Sequence, residues 1–152
     1  MAGELQFEVS TDKLTYQPGT DILVRLQLTN SGQDPLIVNS RLALNRPHRS
    51  GEVWLEVTGP EGQLVPFSAM VNVGTPTPDD LAILKPSRSA GKQYVLQTYY
   101  NTLAAPGEYT LKGTYRNTWG GEDLAAGPAW TGTLSAEPVQ FKIAEADAAA
   151  AP

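Results

Sequence analysis

The chain has no cysteine and a single histidine, His48, among its 152 residues. A disulfide framework, a thiolate metal site and a cysteine nucleophile are therefore excluded. One imidazole with no thiolate falls short of the three or four ligands that zinc sites usually take, and it rules out a His-Glu-x-x-His metallopeptidase signature. Basic residues are in the minority, 11 against 16 acidic, for a net charge of -5. Phosphate backbones are gripped by clustered Lys and Arg, and no such cluster dominates, so nucleic acid is not an expected partner. No stretch approaches the ~20 apolar residues that span a bilayer. The opening residues Met1, Ala2, Gly3, Glu4 and Leu5 form neither a basic nor an apolar leader region. As encoded, the chain reads as cytoplasmic; it would be extracellular or periplasmic had a signal been removed.

Helical periodicity is missing too, and 12 prolines and 14 glycines spread along the chain would interrupt long helices. What remains is alternation with period two. Leu5, Phe7 and Val9 alternate with Gln6 and Glu8. Ile22, Val24, Leu26 and Leu28 alternate with Arg25 and Gln27. Val53, Leu55 and Val57 flank Trp54 and Glu56. Tyr109, Leu111, Gly113 and Tyr115 face one way, and Val139, Phe141 and Ile143 close the series. Two Pro-Gly turns, Tyr16-Gln17-Pro18-Gly19 and Pro106-Gly107-Glu108-Tyr109, feed strands of this kind. The apolar run 36–44 is polar at Asn39, Ser40 and Arg41, which predicts a bend within it. Further strand candidates are 64–73, 81–84 and 93–98, with one short helical turn at 99–105. The expectation is an all-β, immunoglobulin-like antiparallel sandwich of about eight to ten short strands. It would fill residues 1–143 as one domain, followed by an Ala-rich tail or linker at 144–152.

The stretch Thr11-Asp12-Lys13-Leu14-Thr15-Tyr16-Gln17-Pro18-Gly19 resembles the opening strands of macroglobulin-type and bacterial immunoglobulin-like domains. Leu84-Lys85-Pro86, residues 94–100 and Pro106-Gly107-Glu108-Tyr109 look like the non-catalytic N-terminal domain that precedes deuterolysin-type metallopeptidases. A similar layout occurs in small bacterial intracellular proteinase inhibitors. The resemblance covers most of residues 5–143, and its motifs specify strands and turns rather than chemistry. It implies a non-catalytic module that covers, inhibits or scaffolds another protein.

Candidate sites are few. His48 lies in a basic loop bounded by Pro47 and Gly51, and reads as a solvated histidine with a minor claim to contacting a partner. Catalysis would require an oriented base and an oxyanion hole, and no Gly-x-Ser-x-Gly elbow is present. The acidic pairs Asp79-Asp80 and Glu122-Asp123 lack the spacing of a calcium loop with its 6–8 oxygen ligands. Neither cofactor nor metal is expected. The stretch 116–134 is the strongest candidate, since it exceeds a tight hairpin and carries Arg116, Trp119 and Trp130. Exposed Trp and Arg make favoured anchors for partners. The opposing reading, slightly ahead, folds both tryptophans back to plug the end of the sandwich, with a further edge strand at 130–134. Trp54 should point outward from its strand and offer a contact surface.

The function expected is a protein-protein interaction or scaffolding module, an accessory subunit of a larger bacterial protein or assembly. A proteinase inhibitor or prodomain-like module is one alternative. Carbohydrate binding through Trp54, Tyr99, Tyr100 or Trp119 is another. The partner is another protein, and an oligomeric assembly is compatible with this reading.

Overall fold

The computed structural model describes residues 4–46, 51–120 and 128–145. The first sheet is antiparallel and runs β1 (Leu5–Thr11), β3 (Leu23–Asn30), β7 (Ser89–Val95). The second runs β2 (Thr15–Tyr16), β10 (Val139–Ile143), β8 (Gly107–Asn117), β5 (Val53–Thr58). β9 (Gly132–Ser135) takes the far half of β8, ahead of β10 on the same flank. β4 (Leu36–Asn39) and β6 (Leu81–Leu84) form a separate two-stranded piece. One helical turn, α1 (Leu96–Tyr99), follows β7 directly.

This is an all-β, sandwich-like fold whose main sheets group β1, β3 and β7 on one side and β5, β8 and β10 on the other, the two-sheet arrangement of an immunoglobulin-like sandwich. Two further features agree. After β1 the chain crosses between the sheets, and β2 adds to β10 in parallel. At the entry to β8, the Tyr109 hydroxyl donates to the carbonyl of Ala105, four residues upstream. That is the tyrosine corner of such sandwiches, and it explains why a tyrosine follows the second Pro-Gly turn.

The alternation predicts the core residue by residue. Leu5, Phe7 and Val9 of β1, Val24, Leu26 and Leu28 of β3, Val53, Leu55 and Val57 of β5, and Tyr109, Leu111 and Tyr115 of β8 are all buried. Gly113 completes the β8 row for a steric reason. A Cβ there would stand 2.5 Å from Val9 Cγ2, 3.2 Å from Leu55 Cδ2 and 3.4 Å from Phe7 Cε2. The two sheets thus meet too closely at this glycine to admit a side chain. The expected bend within 36–44 is also present: β4 ends at Asn39, Leu42 takes a φ of 50°, and Leu44 bridges to Val53.

Two expectations need correction. No strand forms over 64–73; Leu64 makes one bridge to Thr58, and the chain then runs as an irregular strap to Thr77. Tertiary packing holds it: the Phe67 ring lies edge-on to Tyr100 at 5.4 Å, and Ser68 N donates to the Tyr99 carbonyl. The strand placed at 93–98 begins earlier, at Ser89, and gives way to helix at Leu96. Its first half is polar and largely exposed, so it carries no apolar alternation and is held by pairing to β3. Of the Ala-rich tail only Ala144 and Glu145 are described; His48 and the Glu122-Asp123 pair lie outside the described residues.

Burial governs the tyrosines. It is the main cause that pushes the Tyr16 phenol from its ordinary 10.0 up to about 12, with the hydrogen bond to Asp12 adding to it. Burial raises Tyr100 and Tyr115 further still. In the unfolded chain these phenols lose their protons near 10.0, while the folded chain holds them. Their contribution to stability is therefore intact below pH 10.0 and drains away as pH rises towards and through about 12. Denaturant midpoints should stay level up to about pH 9 and fall above it, with delayed tyrosinate absorbance appearing as the chain unfolds.

Candidate functional site

On the outer face of the second sheet, four stretches distant in sequence converge on one groove of about 350 Å³. Its floor is an ion pair. Arg41 Nε donates to Glu52 Oε1 at 3.0 Å and Nη2 donates to Oε2 at 2.6 Å, while Nη1 donates to the Gly74 carbonyl at 2.8 Å. The Ala43 amide also donates to Glu52 Oε1. The side chains keep 17% and 4% of their exposure, so this fork is largely withdrawn from water. The hydrogen bond that Arg41 donates to Glu52 raises the Arg41 pKa above its ordinary value, against the opposing effect of burial. Glu52 occupies an outward register position next to β5, yet it is buried because Arg41 and the strap at Gly74, Thr75 and Pro76 fold over it.

The walls come from β5 and β8. Trp54 lies opposite Thr114 on the outer face and is half-buried, as its register requires. Arg116 is exposed, and its amide donates to the Glu52 carbonyl, which ties the end of β8 to the chain entering β5. Trp119 follows the end of β8 and lines the same groove, half-buried. The Arg41 and Glu52 charges cancel at the floor. Arg116 leaves the rim cationic in an otherwise acidic protein.

The two tryptophans of the long stretch part company. Trp130 folds inward: its ring packs 5.9 Å from that of Tyr115 and its amide donates to the Ile37 carbonyl of β4. It packs against the hydrophobic core and plugs the end of the sandwich. Trp119 turns the other way. Asn117 ties their backbones together, because its buried amide nitrogen donates to both the Trp119 and the Trp130 carbonyls, at 2.9 and 2.7 Å. Asn39 Nδ2 donates in turn to Asn117 Oδ1. The edge strand expected at 130–134 appears as β9, at Gly132–Ser135.

Trp54, Arg116 and Trp119 are thus brought together, Trp130 is not, and His48 lies outside the described residues. Tyr100 is unavailable to a sugar, being buried with its hydroxyl on the Leu55 carbonyl. Sequence reading missed Arg41, Glu52 and the 74–76 strap. The only signal was a charge set into an apolar run and another just ahead of a strand. Among the described residues, no group of three or more His, Cys, Asp or Glu side chains comes together. No family model and no curated protein matches the chain.

Removing one partner of a withdrawn ion pair strands the other. Glu52→Ala should destabilise the fold by about 3 kcal/mol, whereas Arg41→Met with Glu52→Leu should cost clearly less. Urea unfolding with an unchanged m-value checks both variants.

Proposed function

We propose that the chain is a non-catalytic interaction or scaffolding module, an accessory subunit of a larger bacterial protein or assembly, which grips an extended segment of its partner in the groove. The observation that carries this reading is the convergence of Trp54, Trp119 and Arg116 over a neutralised ion pair. Indole rings supply large contact area with few rotamers to freeze, and arginine supplies a forked donor. A cationic rim in an acidic protein favours a partner segment that carries carboxylates or exposed carbonyls. The floor adds rigidity, since Arg41 joins the strap to the chain ahead of β5 through Gly74 and Glu52. The resemblance to non-catalytic immunoglobulin-like modules supports the same class of role.

The divided tryptophans make the test specific. Affinity purification from the native host should recover a stoichiometric protein partner. Trp119→Ala should weaken its binding by about 2 kcal/mol, close to thirtyfold, with little change in stability. Trp130→Ala should instead destabilise the fold by about 2 to 3 kcal/mol, as loss of a packed aromatic does. Binding unchanged by both Trp119→Ala and Arg116→Ala would overturn the assignment of the groove. Capture of a glycan, lost on Trp54→Ala, would replace the protein partner with a sugar.

A further inference from the structure

The free edge of β1 is the second feature built for contact. Among the described residues, β1 is an outermost strand of the first sheet and pairs with β3 alone, in unbroken register from Leu5↔Asn30 to Thr11↔Val24. Ser31 N donates to the Glu4 carbonyl and Asp12 N donates to the Leu23 carbonyl. In an antiparallel ladder the bonded residues alternate, so Gln6, Glu8 and Ser10 also bond towards β3. The backbone N–H and C=O groups of Leu5, Phe7 and Val9 then point to the open side.

The same logic applies across the gap. Ala136 N donates to the Gly113 carbonyl, and the β8–β9 register therefore turns the backbone groups of Thr133 and Ser135 outward. Among the described residues, β9 pairs only with β8. The two edges border one groove of about 400 Å³, lined by every residue from Leu5 to Val9 and by Leu134, Ser135 and Glu137. Because consecutive residues line it, the groove runs along β1, over a length of about 13 Å at the usual rise per residue.

Natural edges are ordinarily blunted by lysine, proline or a bulge. β7, on the opposite edge of this sheet, carries Lys92 and Gly91. β1 reads Leu-Gln-Phe-Glu-Val-Ser-Thr and has none of these devices. The charges that do border the groove are Glu8 and Glu137, both exposed, with no cation among its lining residues. We propose that β1 is a strand-addition site, which accepts an extended basic segment of a partner protein by main-chain pairing along Leu5, Phe7 and Val9. The carboxylates select the charge of that segment, and they disfavour a second copy of this acidic chain.

The experiment is amide hydrogen exchange on the full chain with a short peptide alternating lysine and valine as the probe. The Leu5, Phe7 and Val9 amides should exchange at least about tenfold more slowly with the peptide bound, and a glutamate-valine peptide should leave them unchanged. Glu8→Lys with Glu137→Lys, both on exposed positions, should weaken binding of the lysine peptide at least about tenfold while the melting temperature holds. Trp119→Ala should leave that binding intact, which separates this site from the tryptophan groove. No slowing of the three amides, equal slowing by the acidic peptide, or loss of binding on Trp119→Ala would each overturn the proposal. Dimerisation of the free chain with the β1 amides already protected would do the same, and would assign the edge to a second copy.

Discussion

At Gly113 the second sheet approaches Val9 and Phe7 of the first too closely to admit a side chain, and the packing of the core depends on that approach. Among the described residues, β8 is the longest strand and the only one that pairs with three others: β5 on one side, β9 and β10 on the other. A side chain at position 113 would hold β1 away from β8 at the middle of the core. With no Cβ there, Val9, Phe7 and Leu55 close over the strand, and the rows of Leu, Val and Tyr on either side reach full burial. A chain without disulfides draws its cohesion from such close packing, because the dispersion and transfer gains fall off over fractions of an ångström.

Sheet ends need a different solution, since backbone groups leaving a ladder must still find partners. Here buried asparagines provide them. Asn30 Nδ2 donates to the carbonyls of Asp34 and Leu84, which fastens the turn after β3 to the end of β6. Asn39 and Asn117 bond to each other, and Asn117 holds both tryptophan carbonyls. Tyrosine hydroxyls work in the same way: Tyr100 satisfies the Leu55 carbonyl, and Tyr115 the Asn39 carbonyl. These links let irregular segments cross the ends of the sandwich without leaving buried polar atoms stranded, and they tie the Trp119 and Trp130 backbones to one buried amide at the end of β8.

Much of the fold is legible in the sequence, because a half-buried strand writes its register in alternation. β1, β3, β5, β8 and β10 read directly in this way, and the outward direction of Trp54 follows from its three apolar neighbours. β7 does not, since an exposed edge strand is specified by the backbone of β3 and leaves little trace in its own side chains. The strap after Leu64 misleads for the opposite reason. Its apolar residues pack on Tyr99 and Tyr100 without forming a ladder. Of the groove, the aromatic and Arg116 positions can be nominated from their chemistry. Arg41 and Glu52 cannot, because only the folded bend brings them together.

The two candidate surfaces differ in chemistry and in how they would recognise a partner. The groove over Arg41 and Glu52 is bordered by indole rings and an exposed guanidinium, so its selectivity lies in side chains. The β1 edge is bordered by main-chain groups and two carboxylates, so its selectivity lies in extended backbone and opposite charge. The tryptophan groove lies along β5 and β8 of the second sheet, whereas the strand-addition edge is β1 of the first, with β9 of the second across its gap, and no residue lines both grooves. A ligand at one would leave the other open. A small sandwich with two such surfaces is suited to bridging, since two modest contacts held by one rigid core act at high effective concentration.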